Sequence, residues 1–406
     1  MKPATLSLAS VSICLGLTGN VFADMVGDWN VHGVAATRTA RQSPSMAARN
    51  LAIVHLAMFE AVNSLEPRYA PYLAQLPADP ASSREGAAAA AAHHALVRLM
   101  PEQKEALDAV FRESLAGITE GTARDKGMQL GREAAEAILA ARSNDGSAAP
   151  NTYRPYAVAG RYVPTVLPQG YTWGSVRPFV LERGDQFRPP APYPLASAQW
   201  AKDFNEIKRM GAKVGSGRTP EQSDIARFWA LTGPATYNPV ARQVSEAKGL
   251  DLLDNARLFA LFSMATADAA IAVFDAKYAY NFWRPVTAIR CADLDENDAT
   301  QLDAAWEPFI DTPMHPEYPC AHCTFQGSAA GALAAMFGDA ISPFSLTSTT
   351  APGVTRRFER LSDYVAEVID ARVFDGVHYR TSGEVGAALG RKVGGYVVQN
   401  ALKPKH

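Results

Sequence analysis

Apolar residues recur at helical spacing through most of this chain. Leu51, Val54, Met58, Val62 and Leu65 form one stripe, predicting a helix over Pro44 to Leu65. Arg84 to Met100 is rich in alanine and favours helix; Pro101 restarts the chain, and Glu102 to Leu115 continues it. Thr122 with Asp125 reads as a capping pair opening a helix to Arg142, which Asn144-Asp145-Gly146 stops. Further helices are expected over Ser197 to Met210 and Pro220 to Leu231, and from about Glu246 through Asp275, with a continuation or restart to Trp283. Three more follow, over Cys323 to Phe337, Gly353 to Phe374 and Ser382 to Asn400. Asp24 to Ser43 reads as irregular, and Cys291 to Pro319 as a loop with Asp/Asn clusters.

From Ser147 to Pro194 the helical period disappears, and proline, glycine and aromatics dominate. This predicts an ordered excursion packed over the helical body, with strand-like Val163 to Val166 and Phe179 to Leu181. The fold class is therefore all-α. One body over residues 24–406 is expected, with N-terminal helices at about 44–142, the excursion at 147–194 and a catalytic bundle at 197–400.

Composition adds three constraints. With 406 residues, 48% hydrophobic and 20% charged, the chain can bury a large core. A formal net charge of -2 argues against general nucleic-acid binding and gives no polybasic patch for a membrane surface. The beginning resembles a secretory signal: Lys2, an apolar run from Leu6 to Leu17, then Val21-Phe22-Ala23 before Asp24. Cleavage near Ala23 would remove Cys14 and leave a periplasmic or secreted protein with Cys291, Cys320 and Cys323, enough for one disulfide and one free thiol. The most apolar later stretch, Leu250 to Phe274, carries Asp251, Asp254, Arg257 and Asp268, so no membrane span is expected.

Three segments carry candidate chemistry. In Lys277-Tyr278-Ala279-Tyr280-Asn281-Phe282-Trp283-Arg284-Pro285, a lysine and an arginine seven apart would share a helix face among aromatics, with Arg284 at a helix end. That pair alone could equally be a solvated basic face with buried stems. In His315-Pro316-Glu317-Tyr318-Pro319-Cys320-Ala321-His322-Cys323, two prolines hold the chain extended before a helix whose first amides suit an anion. In Arg372-Val373-Phe374-Asp375-Gly376-Val377-His378, Gly376 stops a helix, placing Arg372 in its last turn and His378 just beyond. Together they provide three cations, helix-start amides and two histidines, the equipment for a trigonal-bipyramidal oxyanion. Phosphoryl transfer through a phosphohistidine and binding of vanadate both fit. His55 reads as a core histidine, and the adjacent His93 and His94 as a poor ligand pair.

Here the chain resembles a known family. Lys, six residues, Arg-Pro; then Pro-Ser-Gly-His; then Arg, three residues, Gly, one residue, His is the pattern shared by vanadium-dependent haloperoxidases and type 2 phosphatidic acid phosphatases. The first and third blocks match fully, while the middle reads Pro319-Cys320-Ala321-His322. Ala48 to Asn63 and Ala267 to Ala272 are similar to the soluble bacterial haloperoxidase-like branch. The resemblance implies His378 as the axial vanadium ligand or phosphatase nucleophile and His322 as the acid–base histidine. It implies Lys277, Arg284 and Arg372 around the equatorial oxygens, with the Ala321 amide in place of the family's glycine amide. His315 resembles in placement a second active-site histidine of algal bromoperoxidases. The implied activity is oxidation of bromide or iodide by hydrogen peroxide on vanadate, with a small organic substrate. An acid phosphatase is the alternative, and an oxyanion-binding protein with weakened chemistry the third reading.

Two departures bear on this. Cys320 stands where the family has a serine, and a thiol is the weaker donor; it is also open to peroxide. Ala321 replaces a glycine and is acceptable at negative φ. Cys320-Ala321-His322-Cys323 is formally a redox Cys-x-x-Cys, but the strand–helix–strand setting of such sites is missing. Zinc at His315, Cys320, His322 and Cys323 would leave the three cations without a purpose.

Overall fold

The computed structural model describes residues 24–73 and 75–405. The proposed signal segment, and Cys14 with it, lies outside the described residues. At the centre is a helix of 29 residues, Leu252–Tyr280. It is apolar on every side, as a helix surrounded by protein must be. By length and composition it could cross a membrane, contrary to the expectation drawn from its charges, yet 94% of its most apolar stretch is buried inside the protein. Around it pack Pro44–Leu65, Ala321–Phe337 and Arg380–Asn400.

In chain order the helices are α1 (Met25–Thr39), α2 (Pro44–Leu65), α3 (Arg84–Leu99), α4 (Lys104–Leu115), α5 (Thr122–Arg142), α6 (Ala198–Met210) and α7 (Pro220–Phe228). They continue as α8 (Asn238–Lys248), α9 (Leu252–Tyr280), α10 (Pro285–Arg290), α11 (Ala321–Phe337), α12 (Leu361–Phe374) and α13 (Arg380–Asn400). One antiparallel hairpin, β1 (Ala340–Ser348) and β2 (Ala351–Arg360), completes the regular structure of the described residues.

Several boundaries differ from the sequence expectation. α1 replaces the irregular segment: Val26, Asn30, Gly33 and Thr37 are buried at helical spacing, but only one of these four is strongly apolar, which hid the stripe. Residues 353–360 form β2 rather than the start of a helix, because Phe344 and Leu346 on β1 alternate inward and Phe344 faces Phe358 across the ladder. The helix expected from Glu246 is two helices, divided where Gly249 takes a left-handed φ of 58° and Asp251 caps α9 through the Asp254 N–H at 2.8 Å. α5 begins at Thr122, but Gly121 is its N-cap and no side chain caps it.

Two packing features place the site. α11 and α13 approach backbone to backbone: a Cβ on Gly390 would lie 2.2 Å from the Thr324 carbonyl oxygen, and one on Gly394 2.3 Å from that of Ser328. Only glycine permits this approach, which fixes the position of the start of α11. The excursion at 147–194 contains neither expected strand. Instead the backbone N–H groups of Phe179, Val180 and Leu181 all donate to the buried Asp268 carboxylate on α9, at 2.6, 2.8 and 2.9 Å. One acidic side chain on the core helix thus does what a partner strand would do. Asp268→Ala leaves three buried N–H groups unpaired and is expected to lower unfolding free energy by about 3 kcal/mol or more. Denaturant unfolding measures this, and Asp268→Asn should recover part of the loss.

Candidate active site

The α9 helix ends because Asn281 turns left-handed, at φ 49°. Lys277 therefore sits in its last turn, while Arg284 lies beyond the turn as the residue preceding α10. The two do not share a helix face, as their spacing suggested; the chain reverses and brings them together by another route. Lys277 Nζ donates to the carbonyls of Pro316 and Glu317, at 2.8 and 2.9 Å. Arg284 donates through Nε to the His315 carbonyl at 2.9 Å and through Nη1 to the Val377 carbonyl at 2.8 Å. Each cation thus braces one or both of the other two segments.

The third segment ends α12 as expected, with Gly376 at φ 84°. Arg372 pairs with Asp375 at 2.7 Å and donates to the Trp229 carbonyl at 3.2 Å. His378 follows the turn. Its Nδ1 lies 2.8 Å from Glu317 Oε1, which also accepts the Tyr379 N–H at 3.1 Å. With Nδ1–H donating to the carboxylate, the neutral ring keeps its lone pair on Nε2. Arg284 Nη1 lies 3.2 Å from that nitrogen.

The middle segment supplies the start of α11. Cys320 is its N-cap and accepts the Cys323 N–H on Sγ at 3.2 Å. Ala321 is the first helical residue, and its φ is not positive, so the added methyl is tolerated. The Ala321 and His322 amides are first-turn groups that no carbonyl of their own helix can reach. His322 Nε2 lies 3.1 Å from the Leu231 carbonyl, an acceptor only, so Nε2 carries the hydrogen and Nδ1 is the basic nitrogen. His315 Nδ1 receives Arg284 Nη2 at 3.0 Å.

His315, Ala321, His322 and His378 line one cavity of about 380 Å³, whose apolar wall includes Trp173, Phe274 and Phe325. Lys277, Arg284 and Arg372 are at most 1% exposed. Burial, reinforced by Arg284, holds Lys277 well below its ordinary range; burial also brings Arg284 down to about 10. Burial raises Glu317 and Asp375 to about 7, against the pull of Lys277 and Arg372 respectively. Burial first, and then the neighbouring cations, keep His315, His322 and His378 neutral. Against three cations stand two carboxylates, so the formal balance favours an added anion.

Comparison with known proteins agrees with this geometry. Residues 257–404 match the family model described as VCPO second helical-bundle domain. The crystal structure of a bacterial vanadium-dependent iodoperoxidase superposes with a TM-score of 0.81 at 27% identity, covering 94% of this chain and 98% of that one. In its second helical bundle and in its fold the chain resembles the vanadium haloperoxidases. An apo-type bacterial vanadium-dependent chloroperoxidase shares the fold at a TM-score of 0.68 and 17% identity, over 88% of this chain and 94% of that one. Vanadium chloroperoxidase of Curvularia inaequalis is 26% identical over 189 residues, 38% of this chain and 30% of that protein. The match thus spans less than a third of that curated relative.

A haloperoxidase-type site must hold a tetrahedral or five-coordinate oxyanion, and the residues present suit one. Arg372 Nε is buried without a partner, the cations outnumber the carboxylates, and the helix-start residues Ala321 and His322 line the same cavity as His378. No disulfide joins Cys291, Cys320 and Cys323, so the bridge allowed by the sequence is not formed. Among the described residues no group of three His, Cys, Asp or Glu side chains is gathered as a metal site would require.

Sequence reasoning missed Glu317 and Asp375. Both lie inside the quoted segments, but neither had been assigned a role. The available signal was chemical: an Nε2-ligating histidine needs an acceptor for Nδ1–H, and a buried arginine needs a carboxylate. Glu317→Gln keeps the hydrogen-bond shape but removes the charge. It is expected to weaken vanadate binding about 10–100-fold with the helical circular dichroism unchanged, as titration calorimetry would show.

Proposed function

We propose that this chain is a haloperoxidase-like enzyme that holds vanadate and oxidises a halide, bromide or iodide rather than chloride, with hydrogen peroxide. The observation carrying this is the His378 ring, which lines the cavity with its Nδ1 held by Glu317 and its Nε2 3.2 Å from the buried Arg284 Nη1. His378 would bind the vanadium, and Lys277, Arg284 and Arg372 would neutralise the oxygens of the anion, with the Ala321 amide and the Cys320 thiol as donors. When vanadate is bound, the chemistry supplied at this centre is activation of peroxide for oxygen transfer to halide. His322 would accept and return protons at Nδ1, and hydrogen peroxide, halide and one proton give hypohalous acid and water. His315, fixed by Arg284, would sit on the cavity wall where the halide or the organic acceptor approaches.

The oxyanion geometry also fits phosphate, with His378 attacking phosphorus and His322 protonating the leaving oxygen. Purified protein reconstituted with vanadate should halogenate a phenol dye only when peroxide and bromide or iodide are present. His378→Ala should remove that activity without unfolding the protein. Phosphate-sensitive hydrolysis of p-nitrophenyl phosphate without halogenation would replace the proposal by the phosphatase. Vanadate or phosphate binding with neither activity would leave an oxyanion-binding protein. The Lys2-to-Ala23 pattern supports export to the periplasm or medium; N-terminal sequencing of the mature protein should begin near Asp24, and an uncut chain retained in the cytoplasm would reject it.

A further inference from the structure

Two thiols sit in the first turn of α11, beside the residues that line the cavity, and the proposed chemistry uses only one. Cys320 is the N-cap of α11, and Cys323 the third residue of the helix. Both are fully buried and free, and the Cys320 sulfur already accepts the Cys323 N–H at 3.2 Å. N-cap and third-position side chains lie side by side on the first turn, the relation that lets a capping box close. α13 packs closely beside them: a Cβ built on Gly383 would lie 2.9 Å from Ile369 Cγ2 and 3.6 Å from Cys323 Sγ. Cys291, the third thiol, lies just past α10 and is only half-buried.

We propose that Cys320 and Cys323 form a reversible disulfide driven by hydrogen peroxide, which switches the anion cradle out of its binding form. The proposal rests on the haloperoxidase reading only for the arrival of peroxide in the cavity. The Cys320 sulfur attacks peroxide: an S–O bond forms, the O–O bond breaks, and water leaves, giving a sulfenic acid. The Cys323 sulfur then attacks Cys320: an S–S bond forms, the S–O bond breaks, and a second water takes the Cys323 proton. Two thiols and one peroxide become one disulfide and two waters. The product lacks the Cys320 S–H, the donor that stands in for the family's serine hydroxyl. Its sulfur is also tied to α11 rather than free to turn toward the anion. Peroxide in excess over halide would thus close the site instead of driving Cys320 to irreversible oxidation, and an external thiol would reopen it.

The test uses the full, reduced protein treated with stoichiometric hydrogen peroxide and mapped without reduction. The expected product is a Cys320–Cys323 link, a peptide lighter by two hydrogens, restored by dithiothreitol. Vanadate binding to the linked protein, read by calorimetry, should be about tenfold weaker or more. Cys320→Ser should abolish both the link and the peroxide-dependent loss of binding. Cys323→Ser should leave a Cys320 sulfenic acid that dimedone captures. Oxygen adducts on Cys320 without a link, oxidation confined to Cys291, or intact thiols would overturn the disulfide. A linked protein that binds vanadate as tightly as the reduced one would overturn the switch. Linkage and binding are both read without halide, so failure of halogenation would count against the enzymatic reading and leave this one standing.

Discussion

Three cations removed from water set the terms for the rest of this structure. Burying one unpaired charge costs several kcal/mol even after relaxation, so a cluster of three must be matched by oriented dipoles and counter-charge. The fold provides them from separate places. Carbonyls of residues 315–317 and 377 receive Lys277 and Arg284, and the Trp229 carbonyl with Asp375 receives Arg372. These acceptors come from loops and helix ends, where backbone carbonyls are free of their own ladders. The shortfall that remains is one of negative charge, which an oxyanion would supply. Such an anion would stabilise the folded chain as well as equip it, since a ligand bound only to the native state adds to stability by mass action.

Direction matters as much as charge. α11 has to present its first amides to the cavity, and its position follows from glycines on α13 that let the two backbones touch. The excursion over the body is held in the same spirit by Asp268, a single carboxylate on the central helix. Gln169, Gly170 and Trp173 from that excursion line the cavity. A long loop can form part of a binding wall only when its backbone is anchored, and here the anchor is on the helix that also carries Lys277.

Much of this was legible in the sequence, for a physical reason. α2 and α13 have strong apolar stripes or helix-favouring runs, and Gly376 marked the end of α12 with its unusual φ. The three motif segments converge because each ends or begins a helix, and helix ends are where sequence punctuation is strongest. What was illegible depended on partners far along the chain. The stripe of α1 is half polar because Asn30 answers His55 on α2 and Asn238 on α8. β2 alternates too weakly to be read without β1 beside it. The separation of Lys277 from Arg284 hung on Asn281 adopting a left-handed conformation, which asparagine permits but does not announce.

Cys320 is the position where local chemistry and the shared fold diverge. A serine there would cap α11 and donate a stronger hydrogen bond to an oxyanion. A cysteine gives up part of that donation while keeping the cap, since its sulfur still accepts the Cys323 N–H. A lone thiol at such a point would only be a liability near peroxide. Beside a second thiol three residues on, the same weakness becomes reversible, because attack by the neighbour competes with further oxidation. The identity of residue 323 therefore decides what the substitution at 320 means: the pair, rather than either cysteine alone, makes the departure from serine chemically coherent.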